Sequence, residues 1–380
     1  MGYWTDRIGR KTMFIVDLLV FLVAAVLMLG VTQLWHVVSL GVLLGVAVGG
    51  DYAIGSPLLG EYTRAQDRGH HLGLLELLWN VGYVLSFLIG FVLLRAHPEL
   101  WRVELATAAV PAIVILCLRH GLPESPRWLV AQGRVDEATA SLAAVGATIH
   151  DEDYREDGSV PTAFRSLFVR DYLARTVFVS VFWMCIVVPY FALAFFQSEV
   201  LGVIGLEDPI SAALLGTLVA LVGAATGWLL VDRVGRRPLL VIPMFATAVF
   251  LAVVALSGTL HLPVAVTVVC FFGYLLFYGV MSILPGVYPL EVFPTAIRTT
   301  GMGFASAMSR VGAAIGTFLL PVALGAFGLS WTLAVLVVVC LVGGVVSLRL
   351  APETARRSLT ETGSIAGVGP HLVRREGNHR

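Results

Sequence analysis

Long apolar stretches alternate with short polar ones along most of the chain. A helix that crosses a bilayer needs about 20 predominantly apolar residues. Ten stretches are long enough, at about 13–31, 36–58, 72–94, 102–119, 174–197, 210–231, 239–257, 263–285, 301–322 and 329–350. The pattern therefore predicts an all-α membrane protein with ten transmembrane helices.

The composition supports that prediction and excludes several classes of function. The chain is 58% hydrophobic and 13% charged, whereas about 25% of the residues of a soluble domain are charged. Its formal net charge is zero, which gives no indication of nucleic-acid binding. The four cysteines lie in apolar stretches without metal-ligand spacing, and there is no Walker motif or nucleophile elbow. We expect no enzymatic activity, no cofactor, no metal and no nucleic-acid partner.

Basic residues divide the loops into two sets. Arginines are concentrated at 1–12, 59–71, 120–173, 232–238, 291–300 and in the tail, whereas the intervening loops carry none apart from Arg95 and Arg102. The positive-inside rule then places both termini in the cytoplasm. We expect four parts: a helical bundle at 1–119, a cytoplasmic linker at 120–173 with a surface helix within 133–146, a second bundle at 174–350, and a tail at 351–380.

Three charged motifs occur twice, in the same order. Asp6 to Lys11 (DRIGRK) recurs 226 residues later as DRVGRR, and Pro123-Glu124-Ser125 recurs 229 residues later as PET. Glu61 and Arg68 recur, with the same internal spacing, as Glu291 and Arg298. The chain is therefore interpreted as two copies of one helical unit, an arrangement found in several transporters.

The two copies differ at their beginning. The second copy has two helices before its Asp232 motif, whereas five residues precede Asp6. We expect that this sequence lacks the first two helices of a twelve-helix protein; the alternative is a protein that naturally has ten.

Together, the paired DRxGR motifs, PESPRWL at 123–129, EVFPTAIR at 291–298 and PET at 352–354 resemble the major facilitator superfamily, in its sugar-porter and metabolite:proton symporter branch. The resemblance covers Tyr3 to Glu361. It implies two pseudo-symmetric helical bundles, alternating access, a monomer and a plasma (inner) membrane location. GGDY at 49–52 is similar to a motif of the phosphate:proton symporters, whose acid and tyrosine line the substrate cavity.

The resemblance also implies a cytoplasmic gate built from charged residues at helix ends. Ion pairs of this kind are individually weak when solvated, so they can break during a conformational change. The predicted gate consists of Asp6, Arg7, Arg10, Glu61, Arg68, Asp232, Arg233, Arg236, Glu291 and Arg298. Alternatively, these arginines only set the topology.

Asp51 is the candidate proton carrier. It precedes Glu61 by ten residues, roughly 15 Å at the helical rise, and so lies near the middle of a hydrocarbon core about 30 Å thick. An acid at that depth is typically functional; the alternative is a protonated packing residue. By resemblance, Tyr52 joins it as a substrate-binding residue.

Two further residues are predicted to bind substrate because they are equivalent in the repeat. Asn80 and Arg310 are 230 residues apart, and each lies roughly 18 Å into the membrane from the nearest loop arginine. A buried arginine needs an anionic partner, either Asp51 or a substrate carboxylate. The alternative is a permanent structural ion pair.

Trp183 matches a cavity tryptophan of the phosphate symporters, but the acid and tyrosine that follow it in that pattern are Val187 and Phe191 here. Phosphate is therefore disfavoured, and a carboxylate on an apolar or aromatic body fits better. Trp183 and Phe191 are predicted substrate contacts, although an aromatic at helical spacing also suits plain packing. Asp17 and Glu76 are candidate secondary proton sites or partners of loop arginines.

These features predict a secondary active transporter that couples a small metabolite, an organic anion, to protons in a lipid bilayer. Two alternatives remain: a proton-independent sugar facilitator, and a sensor or fragment that does not transport.

Overall fold

The computed structural model describes residues 10–63, 68–120, 124–125, 128–129, 132–144, 164–293 and 297–355. Within these ranges the regular structure is helical. The longer helices are α1 (Arg10–Leu27), α2 (Leu34–Tyr62), α3 (Arg68–Ala96), α4 (Trp101–Ala106), α5 (Ala109–His120), α6 (Val135–Ala144), α7 (Arg170–Phe195), α8 (Gln197–Ile204), α9 (Pro209–Val234), α10 (Arg236–Leu256), α11 (Val264–Met281), α12 (Leu284–Val292) and α13 (Arg298–Leu350).

The ten predicted spans all lie in helix, so the expected all-α membrane protein is confirmed. Eight helical runs of the described residues are long and apolar enough to cross a membrane, judged by length and composition. The run Thr300–Leu350 has 51 residues, enough for two crossings, and it is interrupted at Gly328, where φ is 76° and ψ is 176°. The apolar part of α2, Leu34–Gly50, is shorter.

The chain divides into two compact units. The first comprises Met1–Thr63 and Leu85–Val160, and the second comprises Arg64–Val84 and Pro161–Arg380. The first half of α3 therefore belongs to the second unit, whereas the sequence places all of it in the N-terminal bundle. The physical reason is that side chains of this half of α3 contact Tyr190 of α7, Trp228 of α9 and Gly286 of α12.

In the first unit, α1 packs on α2 and α5. A buried acid of α1, Asp17, lies 3.7 Å from the Arg119 guanidinium of α5. Arg119 also donates a hydrogen bond of 2.8 Å to the Phe14 carbonyl and lies over the Phe14 ring. Asp17 is thus paired with an arginine, but Arg119 belongs to a helix, whereas the sequence suggests a loop arginine as the partner.

The second unit is built on two close helix pairs, α7 along α13 and α9 along α11, with α10 against both α11 and α13. Glycines let α9 approach α11. A methyl group at Gly227 would come within 2.2 Å of the Val280 carbonyl oxygen, and one at Gly279 within 2.1 Å of the Ala220 carbonyl oxygen. Only a residue without a side chain fits such a contact.

The linker forms one described helix, α6, inside the predicted range. Asp136 and Glu137 lie in its first turn, where negative charge interacts favourably with the positive end of the helix dipole. Arg134, just before the helix, donates two hydrogen bonds of 2.7 and 2.6 Å to Glu137. These bonds hold the pKa of the exposed Glu137 carboxyl below its ordinary value.

Candidate functional site

Arg236 is buried at the start of α10, with 0% of its surface exposed. Its Nη1 lies 2.8 Å from Asp232 Oδ1. On its other side, Nη2 and Nε donate to Glu291 at 2.9 and 3.1 Å. Thr354 donates to the same Glu291 carboxylate at 2.6 Å. We call Asp232, Arg236, Glu291 and Thr354 the arginine cluster; two acids balance its buried cation, as burial of a charge requires.

The PES and PET motifs cap equivalent helices of the two units. Glu353 accepts hydrogen bonds from the backbone N–H groups of Arg236 and Arg237, at 3.0 and 3.1 Å. In the first unit, Glu124 accepts one from the Lys11 N–H at 3.0 Å. The first N–H groups of a helix have no partner within the helix, so each carboxylate satisfies donors that would otherwise be unpaired. The sequence repeat is thus also a repeat of contacts.

Only some of the predicted gate residues that the structure describes contact one another. Asp232, Arg236 and Glu291 join in the arginine cluster, while Arg233 is exposed. Asp6 and Arg7 lie outside the described residues. The other four residues belong to helices, but the structure does not describe their side chains: Arg10, Glu61, Arg68 and Arg298.

A polar cluster lies along the first half of α3. Asn80, only 4% exposed, donates to the Glu76 carbonyl at 2.8 Å and to the Ser282 hydroxyl at 3.3 Å. Ser282 donates in turn to the Gly279 carbonyl at 2.8 Å. Every donor in this chain of bonds is buried and satisfied, so it fixes the Asn80 amide in one orientation.

Glu76 lies one turn before Asn80 and contacts a glycine. A methyl group on Gly286 would lie 2.7 Å from Glu76 Oε1, so the carboxyl lies directly against the α12 backbone. Arg310 of α13 interacts electrostatically with this carboxyl. Glu76 is 7% exposed, whereas Arg310 is exposed. We call Glu76, Asn80, Ser282 and Arg310 the polar cluster.

An aromatic cluster borders the polar cluster. Tyr190 and Tyr278 stack with centroids 4.3 Å apart and an interplanar angle of 4°. Trp79 and Tyr83 pack on Tyr190 at 5.7 and 6.0 Å. Tyr83 also donates to the Ala194 carbonyl at 3.3 Å, and Phe191 packs edge-on against Tyr190 at 5.3 Å. We call Trp79, Tyr83, Tyr190 and Tyr278 the aromatic cluster.

The remaining predicted substrate residues are placed as follows. Trp183 is 3% exposed, which fits the packing alternative as well as a cavity role. Asp51 and Tyr52 lie within α2, and their side chains are outside the described part of the structure. The structure brings Arg310 near Glu76, an acid that the sequence treats as secondary.

Four residues of the two clusters were not singled out from the sequence: Trp79, Tyr83, Tyr278 and Ser282. The sequence did indicate that residues 76, 80 and 83 of α3 lie together. They are separated by four and three positions, which places them on one face of a helix. Ser282 pairs with Asn80, 202 residues away along the chain, and Tyr278 stacks on Tyr190 of another helix. Periodicity within one helix cannot indicate such contacts.

Chemically, the two clusters offer a cation, an acid that can take up a proton, an ordered amide and several ring faces. A guanidinium binds carboxylates with paired hydrogen bonds.

Comparison with known proteins identifies the family. The family model described as "Sugar (and other) transporter" matches residues 1–365. The inner membrane metabolite transport protein YgcS of Escherichia coli (strain K12) is 37% identical, over 98% of this chain and 83% of that protein. NiaP of Bacillus subtilis (strain 168), named as a candidate niacin/nicotinamide transporter, is 29% identical over 84% of this chain and 73% of its own length.

The fold is also that of a solved transporter. The structure of the proton:xylose symporter XylE of the major facilitator superfamily, bound to 6-bromo-6-deoxy-D-glucose, superposes with a TM-score of 0.81 at 18% identity. The match covers 96% of this chain and 85% of that one. The fold is thus that of a major facilitator superfamily symporter, and the chain belongs to the family of sugar (and other) transporters.

Proposed function

We propose that the chain is a proton-coupled symporter of a small organic anion, working by alternating access. The observation that carries this proposal is the polar cluster, in which Arg310 acts electrostatically on the buried Glu76 carboxyl. Aromatic rings pack on the same half of α3, where Trp79 contacts Tyr190. The family makes the chain a sugar or metabolite transporter; the charge of the substrate and its coupling to protons are the steps that we propose.

Arg310 supports an anionic substrate. A cation within a membrane-spanning helix is costly, so such residues usually serve a substrate, an ion or a proton pathway. A neutral sugar is recognised by hydrogen bonds and needs no guanidinium. A carboxylate matches the paired donors of arginine.

The aromatic cluster supports a planar or apolar body on that anion. Tyr190 and Tyr278 hold their rings in one orientation by stacking, and Trp79 and Phe191 extend the surface. Nicotinate, a pyridine ring with one carboxylate, has this chemistry, and one relative is named for niacin or nicotinamide. Asn80 and Trp183 would complete the substrate contacts, together with Tyr52.

Asp51 is our candidate for the coupling proton. An acid near the middle of a membrane helix can be exposed to each side in turn during alternating access. The arginine cluster and its counterpart motifs in the first unit would form the gate. We further propose a monomer in the inner membrane with both termini in the cytoplasm.

Uptake into proteoliposomes tests this function with a matched pair of probes. Nicotinate and nicotinamide share the pyridine ring, but only nicotinate carries a charge. With an inward proton gradient, we expect nicotinate to accumulate above its equilibrium level and nicotinamide and xylose not to accumulate. Protein-free liposomes correct for passive entry of the protonated acid.

Other outcomes would identify the alternatives. Gradient-independent entry of xylose, without accumulation of nicotinate, would contradict the proposal and indicate a sugar facilitator. Failure to accumulate nicotinate, benzoate or any sugar would indicate a protein that senses or that does not transport.

A further inference from the structure

Glu76 is a buried acid that the symport scheme above does not use. It is 7% exposed and lies in α3, within the run Gly69–Ala96 that is apolar enough to span a membrane. The carboxyl lies against the Gly286 backbone, since a methyl group there would come within 2.7 Å of Oε1 and 2.8 Å of Cγ. A buried carboxylate at such a position requires a cation or a proton.

The described groups around Glu76 provide one nearby cation. From α13, Arg310 acts on the carboxyl electrostatically. On α3 itself, the nearest titratable groups are His70 and His71, of which His70 packs on Trp228 of α9. On α9, Asp232 is paired with Arg236.

The remaining neighbouring helices contribute neutral or already paired groups. Ser282, directly after α11, contributes its hydroxyl, and α12 contributes the Gly286 backbone. On α12, Glu291 is engaged by Arg236. From α7, the ring of Tyr190 packs on Trp79 of α3. Arg310 is therefore the cation whose position bears most directly on whether Glu76 is charged.

We propose that Glu76 is a second proton-binding site, which competes with the substrate carboxylate for Arg310. This inference rests on the proposed anion symport and adds a coupling residue to it. In the absence of substrate, the ionised Glu76 carboxylate neutralises Arg310. When Glu76 takes a proton from solution, it becomes a neutral acid, and the Arg310 guanidinium is free to bind the substrate carboxylate.

The balance of this exchange is one proton taken up for each monocarboxylate bound, with no net change of charge in the site. Release on the other side reverses it: the anion leaves Arg310, and Glu76 loses its proton as it returns to the guanidinium. Because a proton must enter before the anion binds well, anion affinity falls by about tenfold per pH unit above the pH at which Glu76 titrates. A purely structural ion pair would show no such link.

Binding of nicotinate to the purified full chain tests the inference, by calorimetry in two buffers of different ionisation enthalpy. The wild type is expected to take up a proton on binding and to lose affinity as the pH is raised. Glu76→Gln imitates the protonated acid. It is expected to bind nicotinate without proton uptake, and with less than twofold change in affinity across the same pH values.

Three comparison variants isolate the role of Glu76. Glu199→Gln removes an exposed carboxylate of the second unit and is expected to behave as wild type. Asp51→Asn is expected to keep the pH-dependent affinity, since that dependence is assigned to Glu76. Gly286→Ala keeps both charges but displaces the carboxyl, and is expected to shift the pH at which affinity falls.

Several results would overturn the inference. One is a Glu76→Gln protein that keeps the wild-type pH slope, and another is a folded Glu76→Gln protein that has lost nicotinate binding at every pH. If Glu76→Gln does not fold, two other results overturn the inference. One is nicotinate binding to the wild type without proton uptake. The other is a Gly286→Ala protein whose affinity falls at the same pH as that of the wild type. Accumulation of nicotinate by the wild type in these cases would leave the anion symport standing. No accumulation would remove both proposals.

Discussion

At the scale of single residues, Arg310 carries most of the specificity in this account. Its guanidinium is exposed and lies near one acid, Glu76, that is almost fully buried. In an ion pair with one buried and one accessible partner, a ligand can replace the buried group as the partner of the accessible one. A fully enclosed pair, such as Arg236 with Glu291, offers no accessible side to a ligand.

Replacing Arg310 by Gln should therefore act on charge recognition. We expect nicotinate affinity to fall roughly 10- to 100-fold, because a hydrogen bond to a charged group contributes about 1.5–3 kcal/mol. Weak competition by nicotinamide should be unchanged. Competition binding measures both, with Arg349→Gln as the control, since Arg349 is an exposed arginine of the same helix. Equal losses for both probes would contradict a role in charge recognition.

Asp51 should separate coupling from exchange. In Asp51→Asn, a proton can no longer leave the side chain, so accumulation driven by a proton gradient should be lost while counterflow exchange continues. Counterflow of labelled nicotinate against unlabelled nicotinate measures the second process. Accumulation at wild-type levels would show that Asp51 is not the coupling residue.

How far the site could be predicted differs from residue to residue. Asn80 and Arg310 could be found because the repeat places them 230 residues apart, and Asn80 is indeed buried and ordered. The contact of Glu76 with Gly286 could not, since a glycine carries no signal for what fills the space beside it. The partner of Asn80, Ser282, depends on how α3 packs, which the pattern within α3 leaves undetermined.

At the scale of helices, the crossing of α9 and α11 depends on glycine. Gly227→Ala would place a methyl group 2.2 Å from the Val280 carbonyl oxygen, and a backbone atom cannot move aside as a flexible side chain can. We expect a loss of stability of about 1–3 kcal/mol, as for overpacking elsewhere, visible as a lower melting temperature in detergent. Gly303→Ala is the control, because nothing lies within 4 Å of a methyl group there. Equal melting temperatures for both variants would contradict the close crossing.

The helix caps make a second prediction at this scale. Glu353→Gln keeps the shape of the side chain but removes the charge at the start of α10. We expect a loss of about 0.5–2 kcal/mol, measured as the shift in melting temperature. Glu124→Gln, at the equivalent position on α1, should lose a similar amount. No shift in either variant would mean that the caps contribute little beyond topology.

The spans were predictable because length and hydropathy alone define them. The break at Gly328, between the last two predicted spans, separates two helices that otherwise run on as α13. The capping role of the PES and PET motifs was not predictable from their spacing. Each motif is more than 100 residues from the helix that it caps, so only the folded structure shows the contact.

At the scale of the whole molecule, the repeat unites the motifs with the fold. Glu124 and Glu353 make the same kind of contact in their own units, as expected when two copies of one helical unit keep the same motifs. The division of α3 between the two units was not foreseen, because the sequence motifs mark helix ends and carry no information about lateral packing.

The most direct test of proton-coupled anion symport is the movement of protons when substrate is added. Cells expressing the chain, in weakly buffered medium, would be given nicotinate, then nicotinamide and xylose, while the external pH is recorded. We expect the external medium to become more alkaline with nicotinate alone, and we expect this change to be lost in Arg310→Gln. Alkalinisation with xylose alone, or nicotinate entry without proton movement, would contradict this expectation.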